Sequence, residues 1–331
     1  MTTKTQVVYA LVASPDDLFL QEIWASVYSL RLYEQDRDVC ICCDQATADY
    51  ISQYPEFTKL VTRQVIIPIN DDYDAKLRSR EIKTSIRLHI SGRFLYVDTD
   101  TIFAGTLEYI DSLTCDLAAV PEFHVKFKDT RFREGIIQNV KKIFNIDISD
   151  ASRWHNSGVI YSADTQLSHE FYKLWNNNWH HSAFEKANSQ DQPALIASDK
   201  QMGFVINELS SEYNCQVAFS IEHFFNAKII HYMHFDLLPK PGHPFIDKSI
   251  YKQIKADGTI TEATAYTIKH CKSAFSTPSA IVDGAAIDFL LSNPGHVFLA
   301  VFKRGGILLS LMNKTAALFA KLLRRKGIKA W

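Results

Sequence analysis

Short apolar runs alternate with stretches of helical period through the first hundred residues, and that alternation restricts the fold more than any other property of this sequence. Residues 7–12 are apolar and end at small and turn-forming residues, after which 18–33 carry apolar side chains at helical spacing. Residues 39–43 repeat the pattern and end at Asp44, before a helical stretch near 46–54. Residues 65–69 form a third run that ends in the acidic loop 70–74, and 77–90 read as another helix. The strand after that helix is 94–97, and the next is 117–120. Such an order predicts an α/β fold with a mainly parallel sheet covered on both faces. Open sheets of this kind bind ligands beyond the carboxyl ends of their strands, so the loops after Val12, Ile69 and Val97 are expected to surround one site. Residues 121–152 are rich in charge and aromatics and include an amphipathic helix over 132–144, expected to form a lid or acceptor wall.

Of the 331 residues, 47% are apolar, enough for one large core with or without an appended segment. Lys and Arg number 36 against 37 Asp and Glu, so no global polyanion-binding surface is indicated and nucleic acid is not an expected partner. Six cysteines, three of them Cys40, Cys42 and Cys43, match neither a zinc knuckle nor a disulfide framework and read as reduced, mostly buried thiols. The opening stretch reads as a first strand and not as a signal peptide, because no cleavage site follows its apolar run. No apolar run reaches the ~18 residues of a membrane-spanning helix, so the body is expected to be cytoplasmic.

The composition changes near the end. Residues 289–331 contain no Asp or Glu and carry eight Lys and Arg, from Lys303 and Arg304 to Lys329. Within them Leu308, Leu311, Met312, Thr315, Leu318, Phe319 and Leu322 recur at helical spacing beside Lys314, Lys321, Arg324 and Arg325. This is a basic amphipathic helix, expected either to lie on an anionic membrane surface at the inner face of the cytoplasmic membrane or to pack on the catalytic domain with its lysines solvated. The division expected is a catalytic domain over 1–245, an extension over 246–296 and the basic tail over 297–331, with the boundary loose between Pro239 and Pro294.

Asp98-Thr99-Asp100 directly follows the apolar strand at 94–97 and places two carboxylates at a strand mouth, on the same side of extended chain. Such a pair can hold a hard divalent cation that also binds diphosphate oxygens. About one chance Asp-x-Asp is expected in a chain of this size, and context separates this copy from the others. Asp36 and Asp38 fall in a charged turn, and Asp72 and Asp74 in a polar loop.

The segment from Ile82-Lys83-Thr84-Ser85-Ile86-Arg87 to FLYVDTDTIF resembles nucleotide-diphospho-sugar transferases of the GT-A type, particularly glycosyltransferase family eight, the glycogenin-like and bacterial lipopolysaccharide galactosyltransferase-like group. Downstream, His155-Asn156-Ser157-Gly158-Val159-Ile160, Asp191-Gln192 and Ile229-Ile230-His231-Tyr232 are similar to later elements of that family and stand in its order. The resemblance spans about residues 7–241. It implies a metal-dependent transferase of the GT-A fold, moving a hexose from a nucleotide diphosphate donor, UDP by resemblance alone, to a glycan or lipid-linked acceptor with retention. Asp98, Asp100 and a late histidine would bind Mn2+ or Mg2+. His231 has the expected strand before it, whereas His234 lies closer to Lys240-Pro241 and remains the alternative. The chain departs from the pattern here, since HYMHFDLLPKPGH has no glycine before Lys240 and has Gly242 where the family has Trp.

Donor contacts implied by the resemblance are Lys83, with Arg80 a neighbouring candidate, Thr99, Asn156, Ser157 and Lys240, with Val12, Ala13 and Ser14 beneath the base and ribose. Asp191 and Gln192 would face the sugar as catalytic groups, although Asp191 before Gln192-Pro193 also reads as a helix N-cap. Lys83 has an ordinary alternative as a solvated helix lysine, and Trp154, Trp175 and Trp179 are more simply core than sugar platforms. His155, His180, His181, His243 and His296 fit no ligand spacing. Two rival readings stay open: an inverting transferase, with Glu122 or Asp191 as base, and a noncatalytic nucleotide-sugar-binding or membrane-scaffolding protein.

Overall fold

A computed structural model of the protein describes residues 4–70, 72–220, 222–233, 243–273, 289 and 291–325. In chain order the first half comprises β1 (Gln6–Leu11), α1 (Phe19–Arg31), β2 (Val39–Cys43), α2 (Gln45–Ile51), α3 (Pro55–Thr58), β3 (Arg63–Ile66), α4 (Ala75–His89), β4 (Phe94–Val97), β5 (Thr101–Phe103), α5 (Glu108–Asp111) and β6 (Leu117–Pro121). There follow α6 (Arg133–Phe144), β7 (His155–Ser162), α7 (Gln166–His180), α8 (Gln192–Gln201), β8 (Ile206–Glu208), β9 (Cys215–Gln216), β10 (Ile229–His231), α9 (Ser249–Asp257) and α10 (Glu262–Lys269).

Seven strands form one sheet in the order β3-β2-β1-β4-β7-β6-β8, in which β7 alone runs against its neighbours. Alternate residues of β1 and β4 serve opposite faces, as the two-residue period requires. Val7, Tyr9, Leu11, Leu95 and Val97 pack with Leu20, Ile23, Trp24 and Val27 of α1 and with Ile250, Tyr251 and Ile254 of α9. Val8, Ala10, Phe94 and Tyr96 face Ile82 and Ile86 of α4, Trp175 and Trp179 of α7, and Leu195 of α8. Both faces are covered, so the strands read as continuous apolar runs.

The third strand differs from the expected 65–69. It pairs with β2 from Arg63 to Ile66, as a largely exposed edge. The ladder closes with the Ile67 N–H donating to the Cys43 carbonyl at 2.8 Å, and β2 itself ends there because Asp44 turns the chain into α2. Asp74, from one of the competing Asp-x-Asp pairs, caps α4 by accepting from the Leu77 N–H at 2.8 Å. The cysteines are free and all but Cys115 are buried.

A second sheet of three short strands, β5-β10-β9, forms beside the mouth of β4. β5 begins at Thr101, one residue past Asp100, and pairs antiparallel with β10 so that His231 stands opposite Thr101. That register brings a histidine from far along the chain next to the Asp-x-Asp loop.

Residues 289 and 291–325 belong to a separate compact unit. It contains α11 (Asn293–Arg304) and α12 (Gly306–Arg325). Ser292 caps α11 through a 3.1 Å bond from the Gly295 N–H, and Gly305 and Gly306, both at positive φ, break the chain between the helices. Among the described residues no helix is long and apolar enough to cross a membrane.

Candidate functional site

Asp98, Asp100 and His231 converge, with one ligand atom from each lying within 4.8 Å of the others. His231 Nε2 stands 3.1 Å from an Asp100 carboxylate oxygen. Its Nδ1 is 2.9 Å from Asn214 Oδ1, and the Asn214 amide donates in turn to Asn156 Oδ1 at 2.8 Å. A histidine whose Nδ1–H is held by an oxygen presents Nε2 as its free lone pair, the usual arrangement for a metal ligand. Burial would lower the His231 pKa, but the Asp100 and Asp98 carboxylates outweigh that and raise it. The residues therefore fit a divalent cation, since two carboxylates with one added imidazole are an acceptable donor set for Mn2+.

Gly158 makes room for this cluster. The main-chain N–H of Asp98 donates to the Gly158 carbonyl at 2.7 Å, which brings β7 against the loop of Asp98 to Asp100. A Cβ on Gly158 would stand 2.4 Å from His231 Cε1 and 2.9 Å from Asp98 Oδ2. Only glycine admits both side chains.

Lys83 is buried to 2% exposure, so it is not a solvated helix lysine. Its ammonium lies 3.1 Å from Asp98 Oδ1, 3.1 Å from Asp191 Oδ2 and 3.2 Å from Ser157 Oγ. Arg80, one helical turn earlier on α4, reaches the other Asp191 oxygen at 3.0 Å. Burial alone would raise the Asp191 carboxyl, yet Lys83 and Arg80 hold it well below the usual carboxylate range. Asp191 occupies the N-cap position of α8, but its side chain makes no capping bond. The capping expectation fails because the buried Lys83 and the half-buried Arg80 compete for the carboxylate. Tyr96 donates its hydroxyl to Asp98 from the same strand.

Gln192 sits in the first turn of α8, and its Nε2 donates to Glu122 and, at 3.1 Å, to the His155 carbonyl. Glu122 also accepts from Asn156 Nδ2 at 2.8 Å. Burial pushes the Glu122 carboxyl up, while these two donors oppose the shift. With its amide hydrogens engaged, Gln192 has Oε1 left to meet a ligand. The loop before α8 is held from below, since the indole N–H groups of Trp175 and Trp179 donate to the Asp191 and Ser189 carbonyls at 3.1 and 3.2 Å. These tryptophans are core residues that position the loop, and Trp154 stacks on Phe127.

Val12, Ala13 and Ser14 leave the carboxyl end of β1, the parallel neighbour of β4, and so lie along the same edge as Asp98. The Ala13 N–H donates to Thr47 at 3.1 Å, and Ser14 is turned onto Asp17 through two bonds of 2.9 and 2.8 Å. Thr99 faces Glu22 of α1 at 3.4 Å, while Glu22 pairs with Lys248 at 3.0 Å and is raised to about 7 by burial and by Asp100. His234 and Lys240 lie outside the described residues. His155 is buried, and His180 and His181 pair with Glu81 and Glu185.

Beside the Asp191-Gln192 edge opens a cleft of about 730 Å3, lined on its far side by Arg131, Phe132, Ile136 and Asn139. The helix expected to wall an acceptor region therefore borders this site.

Sequence reading missed three members of the cluster's support: Asn214, Gly158 as a spacer, and Glu122 as a partner of Gln192. Gly158 stood in a recognised motif, but Asn214 carried no local signal, since its value comes from a contact across 58 residues.

No family model and no curated protein matches the chain in sequence. Solved structures do match its fold. The WbbM bifunctional glycosyltransferase in its apo form superposes with a TM-score of 0.54 at 13% identity, over 82% of this chain and 52% of that one. The apo glycosyltransferase GlyE of Streptococcus pneumoniae TIGR4 gives 0.50 at 16% identity, over 82% and 64%. The galactosyltransferase LgtC, solved with donor and acceptor sugar analogues, gives 0.50 at 14% identity, over 78% and 98%. This chain thus spans about half the length of WbbM and less than two thirds of GlyE. It has the GT-A fold of these glycosyltransferases, with the sheet and helices the sequence implied.

Proposed function

We propose that this chain is a glycosyltransferase that moves a hexose from a nucleotide diphosphate donor, expected to be UDP-hexose, to a glycan or glycolipid acceptor. The reaction depends on Mn2+ or Mg2+ and retains configuration at the transferred carbon. The observation that carries this reading is the meeting of Asp98, Asp100 and His231 with the buried Lys83–Asp191 pair, at the sheet edge where this fold class binds ligands. A cation held by the three ligands would neutralise charge on the departing diphosphate.

Lys83 and Arg80 supply positive charge next to that position without freedom to move, because each is held by Asp191. Asp191, kept ionised, and Gln192 Oε1, left free by Glu122, are suited to stabilise an oxocarbenium-like sugar beneath them. Val12, Ala13 and Ser14 would underlie the nucleotide base and ribose, and Asn156 and Ser157 the donor's sugar end. No protein nucleophile is required if a diphosphate oxygen assists the acceptor hydroxyl.

Two features disfavour inversion. An inverting enzyme needs a carboxylate that can take the acceptor proton. Glu122 is buried and occupied by Asn156 and Gln192, and Asp191 is held low by two cations, which makes it a poor base. A noncatalytic role is disfavoured by the complete ligand set. The tail supports attachment at the inner face of a membrane, because α12 exposes Leu308, Leu311, Leu318, Phe319 and Leu322 along one stripe, with Lys314 and Lys321 at its flank. Donor hydrolysis across a panel of nucleotide sugars tests the reading. One sugar should be turned over with Mn2+ and not after chelation, whereas silence across the whole panel overturns the assignment.

A further inference from the structure

Glu122 follows directly on the end of β6 as a buried carboxylate, outside both the Asp98-Asp100-His231 cluster and the lining of the cleft. One of its oxygens, Oε2, accepts from Gln192 Nε2 and, at 2.8 Å, from Asn156 Nδ2. Its place is fixed from two sides. The Glu122 main-chain N–H donates to the Trp154 carbonyl at 2.6 Å, and Gln216 of β9 brackets the residue, donating to the Pro121 carbonyl at 3.1 Å and accepting from the Phe123 N–H at 2.9 Å. Phe123 and His124 hold positive φ of 61° and 59°, a backbone that non-glycine residues keep only where their surroundings enforce it.

The hydrogen bonds leading away from Glu122 have a direction, because the groups at their ends can act in one sense only. The Gly158 main-chain N–H donates to Asn156 Oδ1 at 2.8 Å, which leaves Asn156 Nδ2 to face Glu122, where a carboxylate accepts. Asn156 Oδ1 also accepts from Asn214 Nδ2 at 2.8 Å, so Asn214 turns its own oxygen to His231 Nδ1 at 2.9 Å. Nδ1 therefore carries the hydrogen, and Nε2 is left to the carboxylates. On the other side, Gln192 directs its Nε2 to Glu122 and, at 3.1 Å, to the His155 carbonyl, which settles that Oε1 is its free end. Glu122, Asn156, Asn214 and His231 are all buried, so bulk water does not compete for these bonds.

Resting on the transferase reading above, we propose that Glu122 is a positioning residue for the reaction: its one oxygen holds Gln192 with Oε1 toward the sugar and, through Asn156 and Asn214, holds the His231 ring with Nε2 toward Asp98 and Asp100. The metal side and the sugar side of the site then share a single acceptor, and its loss is felt on both. Without it Gln192 keeps only the His155 carbonyl, and the Asn156 amide is left with a buried donor that has no acceptor, which drives it to turn.

Glu122→Met keeps the length of the side chain and removes the acceptor. The test uses the full chain and two readouts: Mn2+ binding without donor, from the electron paramagnetic resonance signal of the free ion, and kcat and KM from nucleotide release with the nucleotide sugar it turns over. The variant should bind Mn2+ about tenfold to a hundredfold more weakly, the range for a lost outer partner of a metal histidine. At saturating Mn2+ it should lose kcat by roughly a hundredfold, with the donor KM little changed. Two double-variant cycles separate positioning from general damage. In an Asn214→Leu background Glu122→Met should weaken Mn2+ binding no further, and in a Gln192→Met background it should lower kcat no further. Glu122→Asp keeps the charge but draws the oxygen back by one methylene; read in the same cycles, it carries the test if the Met variant does not fold. Native Mn2+ binding and kcat in the Glu122 variants, or effects that add in full in either cycle, overturn the proposal while leaving the transferase intact. A native chain that hydrolyses no nucleotide sugar removes the transferase reading itself, and the Mn2+ cycle then still decides whether Glu122 positions His231.

Discussion

Lys83 is the residue on which the electrostatics of the site turn, because it is buried and stands 3.1 Å from a carboxylate oxygen of each of Asp98 and Asp191. Removing one partner of such a buried pair leaves an uncompensated charge and destabilises by about 3–5 kcal/mol. Lys83→Met should therefore lower the denaturant midpoint markedly, whereas Asp100→Asn, at a partly open strand mouth, should shift stability by less than about 1 kcal/mol. Equal stability of the two variants would mean that Lys83 is not paired as described. Gly158→Ala is a second test at this scale, since its Cβ would press on His231 and Asp98. It should raise the Mn2+ concentration needed for half-maximal turnover at least tenfold, and a normal metal titration would contradict the packing. The carboxylate pair, His231 and Lys83 were legible because each sits in a short motif beside a strand or helix. Asn214 and Glu122 were not legible as support, because their roles arise from contacts formed only when β6, β7, β9 and α8 assemble.

At the scale of elements, α8 carries Gln192 in its first turn and a buried acid in its last. Asp199 accepts from the Ile206 N–H at 3.0 Å, tying α8 to β8, and burial raises its pKa to about 6. A carboxyl raised in the fold prefers its proton there. Its contribution to stability is complete below the unfolded value near 3.8 and is lost as pH rises to about 6. The native protein should thus lose stability between about pH 4 and 6, and Asp199→Asn should flatten that part of the profile. An unchanged slope in the variant would assign the pH dependence elsewhere. Helices α1, α2, α4 and α6 and the buried strands β1, β2, β4 and β6 were readable from their periods, whereas α7, α9 and α10 were not assigned, and the third strand was misplaced because its apolar run does not reveal that its partner β2 ends at Cys43. The reversed direction of β7 was not readable either, since apolar pattern carries no strand polarity.

The whole molecule joins a GT-A unit to a helical tail whose basic composition was plain in the sequence, and each part makes its own prediction. A chain ending at Ser292 should still turn over free donor but should not sediment with anionic vesicles at low salt, as the full chain should. Failure of the full chain to sediment would discard membrane attachment. What no sequence period could supply is the crossing of β5 and β10, which sets His231 opposite Thr101 and so brings it to Asp98 and Asp100. Nucleotide release from the donor should be measured for the native chain, Asp100→Asn and His231→Ala across a Mn2+ titration. The native chain should respond to the metal, Asp100→Asn should lose turnover by orders of magnitude with its fold intact, and His231→Ala should need far more Mn2+. Near-normal turnover of Asp100→Asn, or native turnover indifferent to the metal, would contradict the account.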